Sequence, residues 1–141
     1  MELKTRILAK LDEINQYREE LEQYIPGEEE EYLENQQVRR ACEKTVELAI
    51  EAVISIISMI VSHQQLGLPK SEDDLINILD KKKIISSKLA ATLKEMKGFR
   101  NILVHRYTEV DDQRVYRTLS EEIEDFAGFE KEIRKYLQSV K

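Results

Sequence analysis

Tryptophan is absent from this chain, cysteine occurs once, at Cys42, and the 141 residues include only two prolines and four glycines. One cysteine cannot build an internal disulfide framework, which fits a reducing compartment. The opening "MELKTRILAKLDEINQ" is charged throughout and lacks the apolar core of a signal peptide. The longest apolar stretch, "LAIEAVISIISMIV", is interrupted by Glu51 and is short for a membrane span of roughly 20 residues. These absences imply a cytoplasmic protein without membrane contact. Its two histidines, His63 and His105, lie far apart in sequence. No H-x-x-x-H or paired-cysteine spacing occurs, so neither a metal nor another cofactor is expected.

What is present is apolar and charged material in helical proportion. Hydrophobic residues make up 41% of the chain and charged residues 35%. Leu, Ile, Glu and Lys dominate, and with so little Pro and Gly this predicts an all-α protein in one domain, residues 1–141. Leu3, Ile7, Leu11, Ile14 and Leu21 mark an amphipathic first helix, ended by Pro26-Gly27. A second helix starts somewhere in residues 29–36 and runs to about His63. Its "VELAIEAVISIISMIV" portion is apolar on nearly every side, as in a helix central to a bundle or shared with a second chain. Ser71 with Asp74 resembles a capping box ahead of a short helix. Ser86 or Ser87 caps the next helix and Asp111 or Asp112 the last. That last helix presents Val115, Leu119, Ile123, Phe126, Ile133 and Leu137. The sum is an up-and-down bundle of about five helices.

Charge is unevenly placed. The net charge is −6, yet residues 81–117 hold ten Lys/Arg against four acids, while residues 12–35 hold ten acids and one arginine. A basic face for a polyanion beside an acidic flank is one reading, and an ordinary solvated face is the other. Within the basic segment lies "GFRNILVHRYTEVD", which collects Arg100, Asn101, His105, Arg106 and Tyr107. Arg matches phosphate oxygens with a planar fork of donors, and His exchanges a proton near neutral pH. Together they suit RNA cleavage without a metal: His takes the 2′-OH proton and Arg stabilises the developing charge. On an unbroken helix, however, residues five apart point about 140° from each other. The helix could end between them, Asn101 could be the direct partner of His105, or a second chain could complete the site. The plain alternative is a helix C-terminus decorated with cations that suit its dipole.

"GFRNILVHRY" resembles the R-x4-H-x-Y signature of the HepT-type branch of the HEPN superfamily. "RRACEKTVELAIEAVISI" and the run from "GLPKSEDD" into the motif are similar to the corresponding segments of that family, over roughly residues 1–137. The resemblance implies a HEPN-like homodimer whose two motifs form a metal-independent RNase site, with tRNA the implied target. It implies a toxin restrained by an MntA-type nucleotidyltransferase antitoxin that transfers AMP to the motif tyrosine. Carried over, Arg100 and His105 would be catalytic, Asn101 supporting and Tyr107 the AMPylated residue. Two departures stand out: Ser55 where many relatives carry Asp, and Cys42 where an aliphatic residue is usual. The competing reading is a non-catalytic helical module that binds a nucleotide or docks a nucleotidyltransferase. His63 reads as a helix end, Cys42 as a small packed residue, and Lys81-Lys82-Lys83 as a solvated loop.

Overall fold

The computed structural model describes residues 2–105 and 110–140. Six helices account for nearly all of them: α1 (Leu3–Tyr24), α2 (Glu29–Glu34), α3 (Gln36–His63), α4 (Glu72–Lys81), α5 (Ser87–His105) and α6 (Asp112–Ser139). The sequence leads one to expect about five. The extra one arises at Asn35, whose extended backbone ends α2 and whose side chain accepts a hydrogen bond from the Val38 amide at 3.1 Å, so that α3 starts afresh.

α3 is the hub, in contact with each of the other five helices and most extensively with α1. The stripe read on α1 is the stripe buried: Leu3, Ile7, Leu11, Ile14 and Leu21. Among the described residues, α3 is the one helix long and apolar enough to cross a membrane by length and composition. Most of its apolar side chains are instead enclosed by the chain itself, from Val46 through Ile50, Val53, Ile56 and Ile57 to Ile60 and Val61. Its exposed positions include Glu51, Ser58 and Ser62, with Leu48, Ile54, Ser55 and Met59 half-buried beside them. Within one chain, α3 is the centre of the bundle.

On α6 the buried positions run Val115, Leu119, Glu122, Phe126, Phe129, Ile133 and Leu137. They recur at steps of three and four, which is the geometry of one helical face. Glu122 falls on that face, and Ile123, expected there, is only half-buried. The caps are resolved too. Ser86 accepts from the Leu89 amide at 3.0 Å and anchors α5, while Ser87 donates to Asp80 at 2.8 Å. Asp111 caps α6 by accepting from the amides of Gln113 and Arg114.

Candidate functional site at the end of α5

α5 continues unbroken through Arg100 and ends at His105. The helix therefore does not end between the two residues. Their side chains leave it on different sides, about 140° apart by helical geometry. His105 is exposed in the last turn, and Arg100 is largely covered, its side chain 13% exposed.

What covers Arg100 is α4. Ser71 caps that helix by accepting from the Asp74 amide at 3.1 Å, and Asp74 in turn accepts from the Lys70 amide at 2.8 Å. The first turn then carries Glu72, Asp73 and Asp74, where the helix dipole favours acids. Two of them reach across to α5. Asp73 pairs with Lys97 at 2.6 Å, a hydrogen bond that holds its carboxyl below the usual range. Glu72 takes both ends of the Arg100 fork: Nη1 donates to Oε2 at 3.2 Å and Nη2 donates to Oε1. Lys97 and Arg100 are three apart on one helix face, so two acids from consecutive positions meet two cations from consecutive turns.

Asn101 closes the other side of the guanidinium. Its Oδ1 accepts from Arg100 Nε at 3.3 Å and from Nη2 at 3.0 Å. Asn101 is thus drawn to Arg100, and the structure brings Arg100, Asn101 and Glu72 into one cluster. Tyr107, the expected modified residue, and Arg106 lie outside the described residues. Just before them Ile102 and Val104 stand exposed on the last turns of α5.

Arg39 of α3 ties α2 to the start of α6. Its guanidinium donates to the carbonyls of Tyr32 and Leu33 and lies 3.5 Å from the Asp112 carboxylate. The Tyr116 hydroxyl is committed as well, donating to the Pro26 carbonyl at 2.7 Å, and its ring tilts against buried Tyr32 at 5.2 Å. A cavity of about 400 Å³ opens at the end of α3, lined in part by Val61, Gly67, Leu68 and Leu75, and none of the described motif residues lines it. Cys42 is buried, and that burial pushes its thiol up to about 11, as for an inert packed residue. His63 is exposed in the last turn of α3.

Sequence reasoning missed Glu72. Its helix position was legible from the cap at Ser71, but nothing local says that the start of α4 lies against the end of α5. The basic segment is correspondingly less open than its composition suggests. Lys97 and Arg100 are paired to α4, and Arg117 lies 3.4 Å from Glu29. Lys81, Lys82, Lys83, Lys88 and Lys94 remain exposed.

Comparison with known proteins bears on this site. The family described as Ribonuclease HepT-like matches residues 14–133. The mRNA nuclease HepT of Shewanella oneidensis is 39% identical over 79 residues, so the match spans 56% of this chain and 59% of that relative's length. The tRNA nuclease HepT of Aphanizomenon flos-aquae is 25% identical over 131 residues, covering 93% of this chain and 89% of its own. A solved structure of a tri-AMPylated Shewanella oneidensis HEPN toxin in complex with MNT antitoxin superposes with a TM-score of 0.85 at 29% identity, covering 92% of this chain and 96% of that one.

Proposed function

The chain belongs to the HepT-like ribonuclease family, and from that premise we propose that it is an endoribonuclease toxin held in check by an MntA-type nucleotidyltransferase antitoxin. The observation that carries the reading is the end of α5. There a phosphate-matching Arg100–Asn101 pair and an exposed histidine, His105, share one helix inside the matched span. Support comes from relatives named as nucleases and from a HEPN toxin solved with its antitoxin.

The reaction needs only these side chains. Neutral His105 takes the proton of a 2′-OH, the 2′ oxygen bonds to the adjacent phosphorus, and the P–O5′ bond breaks. Arg100 stabilises the charge that develops on the non-bridging oxygens. A protonated histidine returns a proton to the departing 5′ oxygen, leaving a 2′,3′-cyclic phosphate and a 5′-OH. No metal is required by this chemistry. Because Arg100 and His105 diverge around α5, one chain is poorly arranged to hold one phosphate between them. A homodimer solves this by setting the His105 of one copy beside the Arg100 of the other. Exposed Ile102 and Val104 would lie at that contact. The proposed substrate is tRNA, as named for the relative whose match extends over 93% of this chain. Transfer of AMP from ATP to Tyr107, with release of pyrophosphate, would place a bulky anion two residues from His105 and exclude RNA. The proposed location is the cytoplasm.

The test is purified, unmodified protein with total RNA in EDTA. The expected outcome is cleavage that survives the chelator and ends in cyclic phosphates. His105→Ala and Arg100→Ala should each lose about 10²- to 10⁴-fold in rate. One observation favours a second reading, a nucleotidyltransferase-docking module without catalysis: Glu72 already fills the Arg100 fork. Absence of RNA cleavage by unmodified wild-type protein that still binds the nucleotidyltransferase would establish that reading instead, whereas wild-type turnover in His105→Ala would remove His105 from the catalytic role.

A further inference from the structure

Arg100 has five N–H donors. Glu72 takes one from each Nη, and Asn101 takes Nε and the second donor of Nη2. One donor, on Nη1, is left. A phosphate gripped by two parallel N–H bonds cannot be added to that arrangement. The edge of the guanidinium that such a phosphate would use, with Nη1 and Nη2 side by side, is the edge that the Glu72 carboxylate occupies.

We propose that Glu72 is a positioning residue that sits in the phosphate seat of Arg100 and is exchanged for an RNA phosphate when substrate binds. This deepens the ribonuclease reading, on which its kinetic consequences rest. The geometry suits exchange. Arg100 is held in place from the other side by Asn101, so its plane survives when the carboxylate leaves. Glu72 is more open than Arg100, its side chain 34% exposed against 13%, so it has solvent to move into. Asp73 on Lys97 holds α4 against α5 independently of Glu72, and the Ser71 cap fixes the first turn of α4 itself. Departure of one side chain therefore need not unpack the helix. The carboxylate keeps the guanidinium oriented in the absence of RNA and opposes phosphate by charge, which favours substrates that bring several phosphates to the basic face over isolated anions.

The experiment has two arms. In the first, a labelled single-stranded RNA oligonucleotide is titrated into His105→Ala protein, which needs no catalysis, with and without Glu72→Gln. Loss of the carboxylate charge should tighten binding about 5- to 10-fold. It should also steepen the dependence of log K on log salt by about 0.7, one more phosphate neutralised. The gain should vanish when Arg100→Ala is added. Glu72→Asp, which withdraws the carboxylate by one methylene, should give a smaller gain, and it serves if Glu72→Gln fails to fold. In the second arm, otherwise wild-type Glu72→Gln should lower KM for RNA by a similar factor with kcat within about twofold of wild type. Unchanged or weaker RNA affinity in the first arm overturns the proposal, as does a gain that persists without Arg100. A fall in kcat at constant KM also overturns it, because Glu72 would then be needed in the transition state. Absence of cleavage by the wild-type protein counts against the ribonuclease reading alone and leaves the binding arm intact.

Discussion

Glu122 and Tyr107 show how far a single residue can be read. Glu122 is 4% exposed, and its Oε2 has no hydrogen-bond partner among the described residues. Burial, then the neighbouring charges of Asp125, Glu121 and Glu95, push its carboxyl up to about 8. The folded protein thus holds this proton more tightly than the unfolded chain. Stability from it is fully present below the unfolded value of 4.5 and is lost as pH rises through about 8. Glu122→Gln removes the charge at nearly constant shape. Its melting temperature should match wild type near pH 5 and exceed it by roughly 5 °C or more at pH 8.5. Thermal melts at the two pH values check this, and equal melting at pH 8.5 would mean that Glu122 is solvated or paired in solution. Tyr107 carries the modification prediction. Intact mass after incubation with the partner nucleotidyltransferase and ATP should rise by AMP units in wild type and stay constant in Tyr107→Phe. Tyr116, the other tyrosine of this region, already donates its hydroxyl to Pro26 and is a poor acceptor as it stands.

At the scale of the element, the small helix α4 organises the candidate site. Its cap, its first-turn acids and its packing against α5 act in series: Ser71 fixes where the turn starts, and the turn aims Glu72 and Asp73. Ser71→Ala should cost about 1 kcal/mol in urea denaturation through the lost cap. It should also blunt the salt sensitivity of the Asp73–Lys97 contact. A loss within a few tenths of a kcal/mol would show that packing alone aligns α4. Much of this element could be read from the chain. The cap and the helix were visible in "SEDDLINIL". The contact with α5 was not, because a helix terminus carries no local record of the helix it will meet.

The whole molecule raises the question of the second copy. Apolarity of α3 suggests a helix shared between copies; the bundle encloses most of it and leaves Leu48, Ile54 and Met59 half-buried beside exposed Glu51, Ser58 and Ser62. The exposed apolar residues near the motif are Ile102 and Val104. The proposed dimer should therefore form on the open side of α3 and around the end of α5. An obligate interface would bury on the order of 2,000 Å² or more. Sedimentation at micromolar concentration should give a dimer, and Ile102→Asp should shift it toward monomer with a parallel loss of RNA cleavage. A wild-type monomer at that concentration would remove the composite site. An Ile102→Asp dimer of full strength would move the interface elsewhere.

Residue order alone determined the helical class, the core stripe of α1, the cap at Ser71 and, to within one residue, the caps of α5 and α6. These depend on backbone groups and side chains within a few residues of one another, and their periodicity is written directly in the chain. The motif was legible for the same reason, as five chemically distinctive residues crowded together. Tertiary structure decided the rest. It split the second helix at Asn35 and put Glu122 rather than Ile123 in the core. It also turned Asn101 toward Arg100 and brought Glu72 from 28 positions away onto that arginine. Each of these depends on which surfaces meet, and packing a bundle sets that globally: every helix can bury only the face that its neighbours leave for it.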